Sequence, residues 1–394
     1  MLMLLLANPE IFITWISIIA VLIIGLGLLL KRMKQPYIIG YILVGVIMGD
    51  AGLGVIHDDE MIHIFGELGI ILLLFFVGME ISLPELKNQW KISLIGTSLQ
   101  VLLSLGIMLV MGYFLSWEMA RSVVLGFVIA LSSSAIVIRI LEEKGIIDTL
   151  LGKNVLSILL TQDILIAPML IITSLVGGES QSFEKLALLI IGTVLFVGIL
   201  MYVYWKKEVR LPFSKSIEND HELQVFVASF FCFGGALLSS FFGLSAALGA
   251  FIGGMVMHAG KATKWIHDTL NSFRVLFVSI FFVSIGLQMD ISFVQKNFVA
   301  LLIALLAVYL TNHLLNAIIL KLFKSSWKEA FLGGAMLAQI GELSFLLSST
   351  AFGLGIIEDY AYLFTISLIS ITLLLSPFWI AASEKILDIR SKEA

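Results

Sequence analysis

Apolar runs of about twenty residues recur from one end of this 394-residue chain to the other. Each is long enough for a helix to cross a hydrocarbon layer ~30 Å thick, at about 1.5 Å per residue. No water reaches the backbone in that medium, so every run must close its own hydrogen bonds, which a helix does and an open strand does not. The composition points the same way, with 59% of residues hydrophobic and 13% charged. A soluble chain of this size could not cover so much apolar surface. The 33 glycines and 28 phenylalanines suit helices that pack closely within lipid. The first thirty residues have no basic start, and their apolar stretch runs on to Leu30, so they read as a first spanning helix rather than a cleaved leader.

Thirteen apolar segments are predicted, near residues 11–30, 36–49, 65–81, 92–115, 121–141, 154–176, 187–205, 222–241, 243–258, 273–289, 298–320, 329–351 and 361–381. The expectation is an all-α polytopic membrane protein of 13 transmembrane helices, a single membrane domain over residues 1–394. No stretch is long or polar enough for a soluble domain, a cytoplasmic nucleotide-binding domain included. With the N-terminus outside and the segments alternating, only Arg121, Lys185 and Lys296 of the 24 lysines and arginines face outward. That bias sets the C-terminus in the cytoplasm. A faint repeat is also present. Phe75–Ser82 resembles Ile285–Ser292, and Gly40 and Gly45 recur as Gly249 and Gly254, 209 residues on. Seven helices separate the copies, so the second is inverted: repeats of about 11–176 and 222–381 flank a linker helix at about 187–205. Inverted copies put a substrate site at the midplane between them. Chance similarity among Gly/Phe/Val-rich helices is the competing reading.

Asp163 stands out because its segment is otherwise apolar or neutral, and it lies roughly 15 Å from the cytoplasmic end of that helix, near mid-membrane. An ionised carboxylate there is costly without a partner. A monovalent cation is one partner and a proton is another, so a group that holds either, never both, is the minimal device for exchange. The competing reading is a structural Asp paired with a basic residue. Gln162 offers a neutral carbonyl oxygen next to it, and Pro168 removes a backbone hydrogen bond and frees a carbonyl nearby.

Segment five carries Ser132, Ser133 and Ser134 in mid-membrane. Two readings fit: hydroxyls bonded back to their own helix, or a broken helix that shows carbonyls and hydroxyls to a bare cation. The second is favoured beside Asp163. In segment twelve, Gly333-Gly334 and then Gln339-Ile340-Gly341-Glu342 also predict unwinding. Two broken helices that cross aim their dipole ends at each other and need compensating charge. Glu342 and Arg139 are the candidates, either as a pair or with Arg139 reaching for the interface. Glu67 lines an outer vestibule or is simply solvated. The six histidines have no metal-site spacing, and Cys232 is a lone cysteine. With no phosphate loop and no nucleophile–base pair, neither ATP drive nor an enzyme is expected.

Five motifs in order resemble the cation:proton antiporter-2 family. They are Gly66-Glu67-Leu68-Gly69 leading to Phe76–Glu80, Ala130–Ala135, Gln162-Asp163, Phe281–Gly286 and Ala338–Phe345. The likeness covers about residues 11–381, and the most similar branch holds the glutathione-gated potassium efflux transporters and bacterial sodium/proton antiporters. The resemblance implies an inverted-repeat antiporter fold with crossed discontinuous helices five and twelve, and a homodimer whose core domains slide like elevators. It implies that the position of Asp163 binds the ion. Electrogenic members carry two adjacent aspartates and a lysine in helix ten; Gln162-Asp163 and a lysine-free Phe281–Gly286 imply electroneutral exchange of K⁺ (or Na⁺) for H⁺, with Arg139 as a possible substitute charge. No cofactor is implied beyond the transported ions. Potassium efflux members continue into a nucleotide-binding regulatory domain, whereas only Glu384–Ala394 follow here. A removed regulatory domain or a separate cytoplasmic regulatory subunit is therefore a possible partner; nucleic acid is not. The implied setting is the lipid of a bacterial inner membrane. The alternatives are a sodium/proton antiporter of the same family, a channel-like potassium pathway and an organic solute carrier.

Overall fold

The computed structural model describes residues 9–33, 35, 37–49, 52–56, 59–80, 89–177, 183–206, 220–259 and 263–387. Among them are sixteen α-helices and one π-helical turn. In order they are α1 (Pro9–Arg32), α2 (Tyr37–Met48), α3 (Asp59–Glu80), the π turn Lys91–Gly96 running into α4 (Thr97–Phe114), α5 (Met119–Ala130), α6 (Ser134–Glu143), α7 (Leu150–Val176) and α8 (Phe183–Lys206). Then come α9 (His221–Phe241), α10 (Ala246–Ala259), α11 (Thr263–Leu287), α12 (Ile291–Lys296), α13 (Phe298–Leu322), α14 (Trp327–Met336), α15 (Leu343–Gly353) and α16 (Asp359–Leu387). Each apolar segment coincides with one helix or, for the fifth and twelfth, with two half-helices.

Six of the described helical stretches are long and apolar enough to cross a bilayer on their own, among them Ile13–Arg32, Leu150–Val176 and Phe298–Leu322. The chain is therefore an all-α, multi-pass membrane protein. On α1, Ile13, Val21, Ile24 and Leu28 are each more than half exposed, the mark of a lipid-facing stripe on an apolar helix.

The chain forms two compact units. The first comprises Met1–Leu73 and Leu270–Phe298. Its core gathers Val44, Met48, Ile56 and Val283, with Trp15, Leu22 and Tyr41 packed against them. Here α2 and α11 touch backbone to backbone: a Cβ on Gly45 would strike the Val283 carbonyl, and one on Gly286 would strike the Ile42 carbonyl. Only glycine allows that approach.

The second unit comprises Leu74–Thr269 and Val299–Ala394. It repeats the device between α10 and the end of α3, where a Cβ on Gly254 would strike the Phe75 carbonyl and one on Gly78 the Phe251 carbonyl. Gly254 stands to Gly45 as Phe251 stands to Ile42, 209 residues on in both cases. A large core of this unit packs Val155, Ile158 and Leu159 of α7 against Leu332, Ala335 and Met336 of α14 and Leu320 of α13.

Candidate functional site

A helix that stops leaves its last carbonyls unpaired, which in a dry interior is costly. α5 stops at Ala130 because Leu131 turns to extended geometry (φ −87°, ψ 130°). Donors from four other parts of the second unit meet the carbonyls at that end. Ser344 Oγ donates to Val128 O at 2.7 Å and Asn312 Nδ2 to Ile129 O at 2.8 Å. Gln100 Nε2 and Gln162 Nε2 both donate to Ala130 O, at 2.8 and 3.0 Å. The Gly341 N–H donates to Leu131 O at 2.8 Å. The oxygen of Gln162 then accepts the Ser132 N–H at 3.0 Å, and its amide also donates to Gln100 Oε1 at 3.1 Å. Gln162 thus has a nitrogen facing acceptors and an oxygen facing a donor, which fixes the orientation of its amide.

The second interruption runs from Leu337 to Glu342, between α14 and α15, and it bonds directly to the first. Ser132 Oγ donates to Leu337 O at 2.9 Å. A Cβ on Gly341 would collide with the Ser132 backbone, so the two stretches meet only because that position is glycine. Asn312 Nδ2 also reaches Ala338 O at 3.3 Å, Asn316 Nδ2 reaches Leu337 O at 3.4 Å, and the Ile340 N–H donates to Thr372 Oγ1 at 3.3 Å. Gln339 is fully buried here, and neither Nε2 nor Oε1 of its carboxamide has a hydrogen-bond partner among the described residues.

Asp163 is the central residue of the 27-residue α7 and is 7% exposed. Its Oδ2 accepts the Ser134 hydroxyl at 2.8 Å. Ser134 opens α6, so the carboxylate sits at the positive end of a ten-residue half-helix whose first N–H groups lack intrahelical partners. Two residues before Asp163 is a further tie: the Thr161 and Ser93 hydroxyls bond α7 to the π turn, a geometry that often marks functional segments.

The structure therefore brings Asp163, Gln162, Ser132 and Ser134 together, with Gln339 and Glu342 in the interruption bonded to them. Ser133 is buried, and its oxygen accepts the Ile136 N–H at 3.4 Å, a local contact at the start of α6. The oxygen of Gln162 accepts the Ser132 N–H, a donor that the broken helix leaves to be satisfied. Glu342 holds the N-cap position of α15 without accepting a capping hydrogen bond, and it is 8% exposed. Arg139 lies on α6, and its side chain falls outside the described residues. Glu67 is exposed on α3 in the first unit.

Sequence reasoning missed Gln100, Asn312, Asn316, Ser344 and Thr372, all of which hold the interruptions. A signal for some was present. Ser93, Thr97, Gln100 and Ser104 recur at helical spacing in an otherwise apolar segment, and all four are buried. Asn312 and Asn316 stand one turn apart in the same way. Behind them on α13, His313 receives the Trp379 N–H on Nδ1 at 3.2 Å and lies 2.8 Å from the Phe331 carbonyl through Nε2, which requires the neutral Nε2–H tautomer.

The family described as sodium/hydrogen exchanger, transmembrane, matches residues 18–382. The chain belongs to the sodium/hydrogen exchanger family. This exchanger is accordingly a secondary transporter that moves monovalent cations against protons, and not an enzyme. It is 34% identical over 379 residues to the iron transporter MagA of Paramagnetospirillum magneticum, covering 95% of this chain and 85% of MagA. It is 27% identical over 357 residues to K(+) efflux antiporter 5 of Arabidopsis thaliana, covering 89% of this chain and 63% of that longer protein. Its fold is similar to that of the sodium proton antiporter MjNhaP1 from Methanocaldococcus jannaschii at pH 8, with a TM-score of 0.70 and 20% identity, covering 98% of this chain and all of that one.

Proposed function

We propose that this exchanger works through Asp163, which takes a proton and a monovalent cation in alternation. The observation that carries the reading is the setting of that carboxylate: buried at the centre of α7, held by Ser134, and facing the positive end of α6. That end lowers the cost of the ionised form, and an arriving cation or proton removes the remaining charge. The cation's other ligands would be the Ser134 hydroxyl and carbonyls of the interrupted stretches. Gln339 is the neutral amide best suited to complete the shell, because Gln162 is already engaged by Ser132 N–H. These are hard oxygen donors, suited to Na⁺ or K⁺. The single carboxylate and the adjacent glutamine favour electroneutral exchange with K⁺, in the manner of the antiporter-2 branch.

The fifth and twelfth segments act in this reading as crossed, discontinuous helices within a thirteen-helix fold. The matched glycine contacts of the two units support an inverted repeat, and the distribution of lysine and arginine supports an outside N-terminus in a bacterial inner membrane. A homodimer of this chain is part of the same proposal.

The test is exchange in proteoliposomes holding an internal pH dye, with K⁺ or Na⁺ gradients imposed at clamped and unclamped voltage. Proton movement driven by K⁺, insensitive to voltage and absent in Asp163→Asn, is the expected result. Undiminished exchange in that variant would overturn the role of Asp163. Proton movement driven by ferrous iron alone would bring the cargo named for MagA to this chain in place of an alkali cation.

A further inference from the structure

The second unit contains a partly open cavity of about 260 Å³ lined by α4, α5, α13 and α16. Its two ends differ chemically. At one end stand Trp117, Arg121 and Tyr360; at the other stand Ile129, Asn312 and Ile340. Apolar side chains such as Met108, Val308 and Leu368 line the wall between. From Arg121 to Ile129 the helix climbs about 12 Å, so the cavity runs from the first turn of α5 toward its interrupted end.

The guanidinium of Arg121 lies 4.8 Å from the centre of the Trp117 ring. Its Nε is buried and has no hydrogen-bond partner among the described residues. A cation held against a ring at the first turn of a helix, its donors unspent, attracts an anion. Trp and Tyr beside a basic residue at the end of an apolar helix are the usual occupants of the headgroup level of a bilayer. An apolar shaft that begins at that level and passes inward along spanning helices has the form of an acyl-chain site.

We propose that this cavity binds an anionic membrane phospholipid, with its phosphate at Arg121 and Trp117 and one acyl chain in the shaft. Water is a poor occupant of an apolar shaft, and a zwitterionic lipid brings its phosphate with a tethered cation that competes with Arg121 for it. The inner end of the chain lies against Asn312 and Ile340. Asn312 bonds Ile129 O and Ala338 O, and the Ile340 N–H bonds Thr372. The lipid therefore packs against the residues that join the two interruptions, and its presence stiffens that junction.

The test uses the purified full chain in vesicles that carry trace phosphatidylglycerol or phosphatidylcholine with a photoactivatable diazirine in an acyl chain. Labelled peptides are mapped by mass spectrometry, a readout independent of transport. The expected result is labelling of α13 and α16 around Ala304–Asn312 and Ala361–Leu368, about fivefold stronger for phosphatidylglycerol, as one basic contact near a membrane surface provides. Arg121→Gln reduces it to the phosphatidylcholine level, and Arg121→Lys retains most of the preference. Ala307→Trp, which fills the shaft from its wall, abolishes labelling there with either lipid; Ala304→Trp serves if that variant is not monodisperse. Equal labelling by the two lipids overturns the proposal, as does labelling that neither tryptophan variant diminishes.

Discussion

The two interruptions, residues 131–133 and 337–342, differ in length and in how their polar groups are satisfied. At the first, amides of Gln100, Gln162 and Asn312, the Ser344 hydroxyl and the Gly341 N–H occupy consecutive carbonyls. At the second, backbone groups are bonded, yet the carboxamide of Gln339 is buried with both of its polar atoms unpaired among the described residues. The carboxylates differ as well. The restart at α6 is faced by Asp163 from another helix, while the restart at α15 carries its own Glu342 at the N-cap. A saturated network holds one geometry, and an unspent polar group awaits a partner of its own. The first interruption is the frame of the proposed site, and the second supplies its adaptable side.

The largest expected effect comes from forcing the two apart. Gly341→Leu drives a side chain into the Ser132 backbone, and destabilisation of about 3 kcal/mol or more is expected, read as a lower melting temperature in detergent. A melting temperature unchanged by that variant would mean the two stretches do not touch. The sharper contrast is between the two glutamines. Gln162→Ala strands the Ser132 N–H and weakens the cap on Ala130, costing about 1–3 kcal/mol. Gln339→Leu removes a buried, unbonded amide and leaves the melting temperature unchanged or raised. The same variant is expected to raise the half-saturating cation concentration about tenfold, the equivalent of ~1.4 kcal/mol. Equal stability losses in the two variants would erase the distinction. Gln100→Ala is expected to cost about 1 kcal/mol, because Gln162 still reaches Ala130 O. The smallest effect belongs to Lys144, whose ammonium lies 2.6 Å from Glu384 with both side chains partly exposed. Lys144→Ala is expected to cost less than about 1 kcal/mol and to lose even that in high salt.

Much of the architecture was legible because membrane helices must satisfy their own backbones. Length and hydropathy therefore located the apolar segments, and glycine and serine runs marked where two of them break. Asp163 stood out for the same reason: a carboxylate in a spanning segment has few structural excuses. The hydrogen bonds of the glutamines were not legible. Adjacency in sequence put Gln162 beside Asp163 but gave no sign of the Ser132 N–H that its oxygen accepts, a donor left open because the helix stops at Ala130. Asn312 and Ser344 escaped notice because the carbonyls they serve lie 183 and 216 residues away. The polar face of Ser93, Thr97, Gln100 and Ser104 was written in the spacing but points nowhere until α4 is packed.

The central claim is that one carboxylate holds the proton and the cation by turns. The most direct measurement adds K⁺ to the purified protein in weakly buffered detergent solution and follows proton release against cation uptake. The account predicts a proton released for each cation bound, and neither event in Asp163→Asn. Cation binding without proton release in the unaltered protein, or release that persists in Asp163→Asn, would contradict it.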